Sequence, residues 1–185
     1  MSKRKVSLVI CCEDKQQECF ARRFLKGVSW DYRQLFFRMS PDSKGSGEQW
    51  VREKFAKELN IYHTKQWTYA IIAIIDGDTK GVEGRITQFN NICREKRVPV
   101  RSNNDAVAII VPTRNIETWI HYLNGETVDE ETVYPKLKCE SECQPAVENL
   151  VTMCKGNGIS QDAPPSLHSA CDEYRSRIYN FRFAH

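Results

Sequence analysis

The chain has 185 residues, with 27 Lys and Arg against 24 Asp and Glu, for a net charge of only +3. The molecule as a whole is therefore no polycation, and contact with nucleic acid must come from a local patch. The length fits one domain with a sizeable core, and no apolar run approaches the ~20 residues that span a bilayer.

Met1-Ser2-Lys3-Arg4-Lys5 leads into a short apolar strand, not into a signal-peptide core with a cleavage site, so the expected location is cytoplasmic. Lys5 to Cys12 reads as the first strand and stops at two acids, Glu13 and Asp14. A helix follows, with Cys19, Phe20, Phe24 and Leu25 on one side, and Gly27 ends it. Arg33 to Met39 is the predicted second strand. Ser40 to Gly47 is turn chemistry throughout; its Lys44-Gly45-Ser46-Gly47 lacks the spacing of a phosphate-binding Walker loop and reads as a flexible loop. A second helix resumes near Gly47, carrying Val51, Phe55 and Leu59.

The third strand is the most telling. Tyr69 to Ile75 contains four Ile and no polar group except the Tyr hydroxyl, the pattern of a strand buried on both faces. It ends in Asp76-Gly77-Asp78. Open α/β sheets bind ligands at that end of a strand, and two carboxylates flanking a glycine repel each other unless a cation such as Mg²⁺ or Mn²⁺ sits between them. A solvated Asp-Gly turn accounts for the tripeptide alone equally well. The helix that follows places Val82, Ile86, Phe89 and Cys93 on one face, and Arg85, Arg94, Lys96 and Arg97 are read as its solvent-side basic face. Lys80 and Arg85 lie close enough to the acid turn to meet a phosphate.

Asp105 to Val111 supplies the fourth strand, which Pro112 closes. Glu117 then opens a helix carrying Ile116, Trp119, Ile120 and Leu123, where a carboxylate either answers the helix dipole or joins the other acids. The last 60 residues read as short helices covering the sheet. Tyr174 to Phe183 interleaves arginines with aromatics, a composition suited to packing and partner docking and also to base stacking.

Of the eight cysteines, Cys11, Cys19 and Cys93 sit in or beside apolar elements as small hydrophobes, consistent with a reduced protein. Cys139, Cys143, Cys154, His168 and Cys171 can be drawn as a zinc set. Their spacings contain no two-residue knuckle, and Cys154 and Cys171 fall on the apolar stripes of predicted helices, so packing is the simpler account.

Three strands thus end in acids. The order of a glutamate after the first strand, an Asp-x-Asp after the third and Glu117 after the fourth resembles the Toprim fold of topoisomerases, primases and OLD-type nucleases, over roughly residues 5–123, and is most similar to the OLD-type branch. The resemblance implies an α/β, Rossmann-like open parallel sheet of about four strands flanked by helices, spanning residues 1–125, with a helical extension over 126–185 packed on it. It also implies metal-dependent hydrolysis of DNA or RNA, with Mg²⁺ or Mn²⁺ held by Glu13, Asp76, Asp78 and Glu117. Glu13 would double as a proton-transfer group, and Lys80 or Arg114 would hold the phosphate. OLD-type nucleases carry an ATPase domain that this chain does not show, so the expected partner is a separate ABC/AAA-type ATPase, in the manner of antiphage defence systems; a homo-oligomer is compatible with all of this. Two other classes stay open: a catalytically silent Toprim-like module that binds nucleic acid or a partner, and a receiver-like phosphoacceptor, whose late-strand lysine is replaced here by Arg114 and Glu117.

Overall fold

Short runs of Val, Ile, Ala and Leu become the strands of one sheet, and the helices between them cover it. The computed structural model describes residues 5–41, 46–65 and 68–183. Strands β1 (Ser7–Cys12), β2 (Leu35–Met39), β3 (Tyr69–Ile74) and β4 (Val107–Ile110) are all parallel and lie in the order β2-β1-β3-β4. Helices α1 (Lys15–Gly27), α2 (Gly47–Lys65) and α3 (Gly81–Glu95) make the crossovers. Alternation along β1 divides the two faces: Cys11 lies beside the Glu58 and Lys54 charges of α2, and Cys12 beside Glu18 and Arg22 of α1. On the α2 face, Phe55 and Phe89 of α2 and α3 meet edge-on at 4.7 Å.

The predicted strands run slightly long. Arg33 and Gln34 belong to a 3₁₀ turn because the Asp31 side chain captures the Arg33 N–H (2.9 Å), and Asp105 closes a turn by accepting from Ser102 N (2.6 Å). Ile75, beyond the end of β3, still donates to Ile110 O (3.1 Å). Lys44 and Gly45 of the predicted loop lie outside the described residues.

Helix α4 (Glu117–Leu123) leads to the extension, which holds α5 (Gln144–Lys155), α6 (Pro165–Glu173), π-helical turns over Tyr174–Tyr179 and α7 (Asn180–Phe183). Residues Val147, Leu150, Leu167 and Ile178 share one core with β1, β3 and β4. Two indoles tie the extension down, Trp119 Nε1 donating to Ser166 Oγ (2.8 Å) and Trp30 Nε1 to Tyr174 Oη (3.0 Å). Two members of the Arg-aromatic stretch are packed: Tyr174 meets Phe24 edge-on at 5.2 Å, and the Arg182 guanidinium lies 4.5 Å over the Trp30 ring. No helix among the described residues is long and apolar enough to cross a membrane.

The outer edge of β4 is closed by side chains. Glu173 accepts the Ile109 N–H (3.0 Å), Arg101 donates to Val107 O (2.9 Å), and Arg101 and Glu173 pair with each other. Glu173→Ala would strand a strand N–H and a largely buried guanidinium together. It is expected to cost about 3 kcal/mol, or roughly 6–12 °C in thermal melting, with Glu173→Gln falling between because its amide oxygen can still accept from Ile109.

Candidate functional site

Strand order places the first candidate residues. The chain leaves β1 toward β2 on one side and continues through β3 to β4 on the other, so the crevice between the carboxyl ends of β1 and β3 is the topological switch point at which open α/β sheets take ligands. Glu13 follows β1 directly, Asp76 lies two residues past β3, and Glu117 opens α4 beyond β4. Across the sheet the order is Glu13, Asp76, Glu117.

Glu13 and Asp76 are locked to each other. Glu13 Oε1 accepts the Asp76 backbone N–H (2.6 Å). The fully buried Gln17 side chain bridges the same pair, its Oε1 accepting from Glu13 N (2.9 Å) and its Nε2 donating to Asp76 Oδ1 (3.0 Å). The electrostatics follow from this crowding. Burial, with Asp78 and Asp14 adding to it, pushes the Glu13 carboxyl up to about 7, against the opposing effect of the Asp76 N–H and Arg85. Asp76 is pushed up to about 8 by burial and by the charges of Glu13, Asp14 and Glu117, with the Gln17 hydrogen bond opposing. Glu117, 2% exposed, is also raised, chiefly by burial.

Asp78 is drawn elsewhere. Its Oδ2 takes Arg85 Nη2 (2.6 Å), while the same guanidinium donates from Nε to Asp76 O (2.8 Å) and from Nη1 to Glu48 Oε2 (2.5 Å) and Gln88 Oε1 (2.9 Å). Arg85 is 3% exposed, which overturns the expectation of a solvent-facing residue. Its spacing was the available signal: it lies three residues after Val82 and four before Phe89, on the apolar stripe itself. Gln17 and Glu48 carry the same signature, one turn before Phe20 and Val51, and both were missed. Asp14 is the N-cap of α1, accepting Gln17 N (2.9 Å), and its charge acts on Glu13, Asp76 and Glu117.

The loops after β3 and β4 are clasped. Gly77 N donates to Pro112 O (2.7 Å), and Asp78 and Arg114 form an isolated antiparallel bridge. A Cβ at Gly77 would meet Pro112 O at 3.1 Å and Thr113 Cα at 3.3 Å, so a side chain there would press the β4 loop back by a few tenths of an ångström. Both bridge residues pay in backbone strain, with φ of +47° at Asp78 and +64° at Arg114, a conformation that non-glycine residues hold when their surroundings impose it. The clasp sets Arg114 beside Asp78 in the backbone pairing, and exposed Lys80 ends the loop after β3.

Among the described residues, no group of three or more His, Cys, Asp or Glu side chains stands ready to hold a metal ion; this applies to the drawn zinc set as well. The donor chemistry at the switch point nonetheless suits a hard divalent cation, because Glu13, Asp76 and Glu117 offer carboxylate oxygens alone, and two of them retain protons near neutrality where a cation would otherwise balance them. Asp78 fits less well, since Arg85 already neutralises it.

Glu13 and Asp76 bind protons more tightly in the folded chain than in the unfolded one. The stability this supplies is complete below their ordinary values near 4 and is lost as pH rises through about 7 and 8. Melting of the metal-free protein should therefore show a fall in stability over that window. Asp76→Asn, which keeps an acceptor for Gln17, should flatten the fall and raise stability at pH 8 by about 1–2 kcal/mol. Comparison of the chain with protein-family models, with curated proteins and with solved structures finds no match, so the reading of this site rests on its own geometry.

Proposed function

We propose that the protein is a metal-dependent nuclease that hydrolyses phosphodiester bonds of DNA or RNA. The observation that carries this reading is the pair of acids Glu13 and Asp76, linked through the Asp76 N–H and Gln17 at the switch point of a parallel sheet, with burial pushing their carboxyls up to about 7 and 8. Glu13 and Asp76 would hold Mg²⁺ or Mn²⁺, with Glu117 beside them. When bound, the ion would supply charge neutralisation at the phosphate and an acidified water. The rest falls to the chain. Gln17 fixes the relative orientation of the two carboxyls, and Arg85 fixes the loop that carries Asp76 and Asp78. Glu13 Oε1 is engaged by the Asp76 N–H, which leaves Oε2 to accept or return a proton at neutral pH. Lys80 and Arg114, on the loops after β3 and β4, would be the basic groups to meet a substrate phosphate. The similarity of the acid order to OLD-type nucleases supports a separate ATPase as the working partner and a role in antiphage defence.

One observation favours a second reading. Arg85 neutralises Asp78, and among the described residues no three donors converge; a silent Toprim-like binding module would look the same. The receiver-like reading is weaker, because among the described residues no lysine is hydrogen-bonded or ion-paired to Asp76, and Lys136 reaches Asp14 instead (3.8 Å).

Incubation with plasmid, single-stranded DNA and total tRNA in Mn²⁺, with and without the candidate ATPase, separates the readings. Wild-type protein should cleave at least one substrate, with Glu13→Ala and Asp76→Ala slower by about a hundredfold or more, the scale on which loss of an electrostatic catalytic group acts. Gln17→Ala should lose about 10–100-fold, as an orienting residue does. Mn²⁺ should also raise stability, by about 2.7 kcal/mol at a hundredfold excess over its Kd. No cleavage of any substrate, together with unchanged melting in Mn²⁺, would assign the chain to the silent class.

A further inference from the structure

The two edges of the sheet are treated differently. The β4 edge is sealed by Arg101 and Glu173, whereas at the other end, among the described residues, no side chain of another element is hydrogen-bonded to the outer backbone groups of β2, and Arg38 is its one charged residue. It contains no proline, its pairing with β1 runs without a bulge, and its five residues are Leu35-Phe36-Phe37-Arg38-Met39. Phe36 is 40% exposed, and Tyr32, in the turn just before the strand, is 73% exposed.

The direction of the open hydrogen-bonding groups follows from the register. Ser40 N donates to Cys12 O (3.2 Å), so residues of its parity, Phe36 and Arg38, turn their backbone groups toward β1, while Leu35, Phe37 and Met39 turn theirs outward, the Leu35 N–H being already held by Tyr32 O. Arg38 Nη1 lies against one of these outward groups, Phe37 O (3.2 Å), a contact that an incoming strand would replace.

We propose that β2 pairs antiparallel with β2 of a second copy of this chain, about a two-fold axis at Phe37, joining two sheets into one of eight strands. The strand is self-complementary in this register. Phe37 faces its own copy, Leu35 faces Met39, and on the other face Phe36 of each chain lies opposite Arg38 of its partner, an aromatic ring against a guanidinium that is 43% exposed in the single chain. A parallel arrangement would instead set Arg38 beside Arg38. Because the far edge of each sheet is sealed, the contact closes at two copies and does not propagate into a fibre. Antiparallel joining also points the carboxyl ends of the two sheets in opposite directions, so the two acid sites would act on separate stretches of any substrate. The inference does not depend on the nuclease reading.

Light scattering on a sizing column at about 100 µM protein should give twice the chain mass. Phe36→Lys places a cation opposite Arg38 of the copy and should weaken the dimer by about tenfold or more, whereas Phe36→Glu offers Arg38 a carboxylate and should keep it within about threefold. Phe36 is a surface residue of the single chain, and circular dichroism and melting should show both variants folded. A monomeric wild type at that concentration would overturn the proposal, as would equal effects of the two substitutions, which mark Phe36 as merely apolar surface. If either variant fails to fold, Phe36→Gln and Phe36→Arg replace them, with loss expected only for the cation.

Discussion

Two carboxyl groups pressed together at the carboxyl ends of β1 and β3 are the constraint around which this structure is arranged. Glu13 and Asp76 cannot both ionise there without cost, because burial pushes both upward and the Glu13 charge adds to it at Asp76. The surrounding elements keep them together nonetheless. Gln17 bridges them from α1, the Asp76 N–H engages Glu13, and Arg85 reaches from α3 to hold the Asp76 carbonyl and the Asp78 carboxylate at once. The Gly77 contact and the strained pair Asp78 and Arg114 clasp the β3 and β4 loops behind the pair. Such investment in a locally unfavourable arrangement is characteristic of functional sites.

The sheet was legible in the sequence because β1, β3 and β4 are buried on both faces, and that requirement leaves uninterrupted apolar runs such as Tyr69 to Ile75. Strand ends were less so. Asp31 and Asp105 capture backbone N–H groups and convert the predicted ends of β2 and β4 into turns, a local competition that periodicity does not register. The tail from Tyr174 to Phe183 was legible as composition only; Tyr174 and Arg182 pack on Phe24 and Trp30 once the fold brings these near.

At the site, the acids at strand ends were readable and their supporting cast was not. Gln17, Glu48 and Arg85 each lie on the apolar stripe of a helix, within its first turns, immediately after a strand or its loop. A polar residue at such a position has nowhere to go except toward the carboxyl end of the sheet, where the acids are. Counting Arg85 with the other basic residues of its helix obscured this. The division between Asp76 and Asp78 was equally hidden, since nothing in Asp-Gly-Asp says that a buried arginine will take one carboxylate and leave the other. Glu117 was identifiable by the same stripe logic, three residues before Ile120, and it is buried as that spacing requires.

The central claim is that Glu13 and Asp76 retain protons near neutrality because they stand where a divalent cation belongs. Carbon-13 NMR of the two side-chain carboxyls, followed through a pH titration with and without Mg²⁺, tests it most directly. Without the ion, the pair should titrate in two steps near 7 and 8, and with saturating Mg²⁺ both steps should move down into the ordinary carboxylate range. Ordinary midpoints in the metal-free protein, or elevated midpoints that Mg²⁺ leaves unmoved, would contradict it.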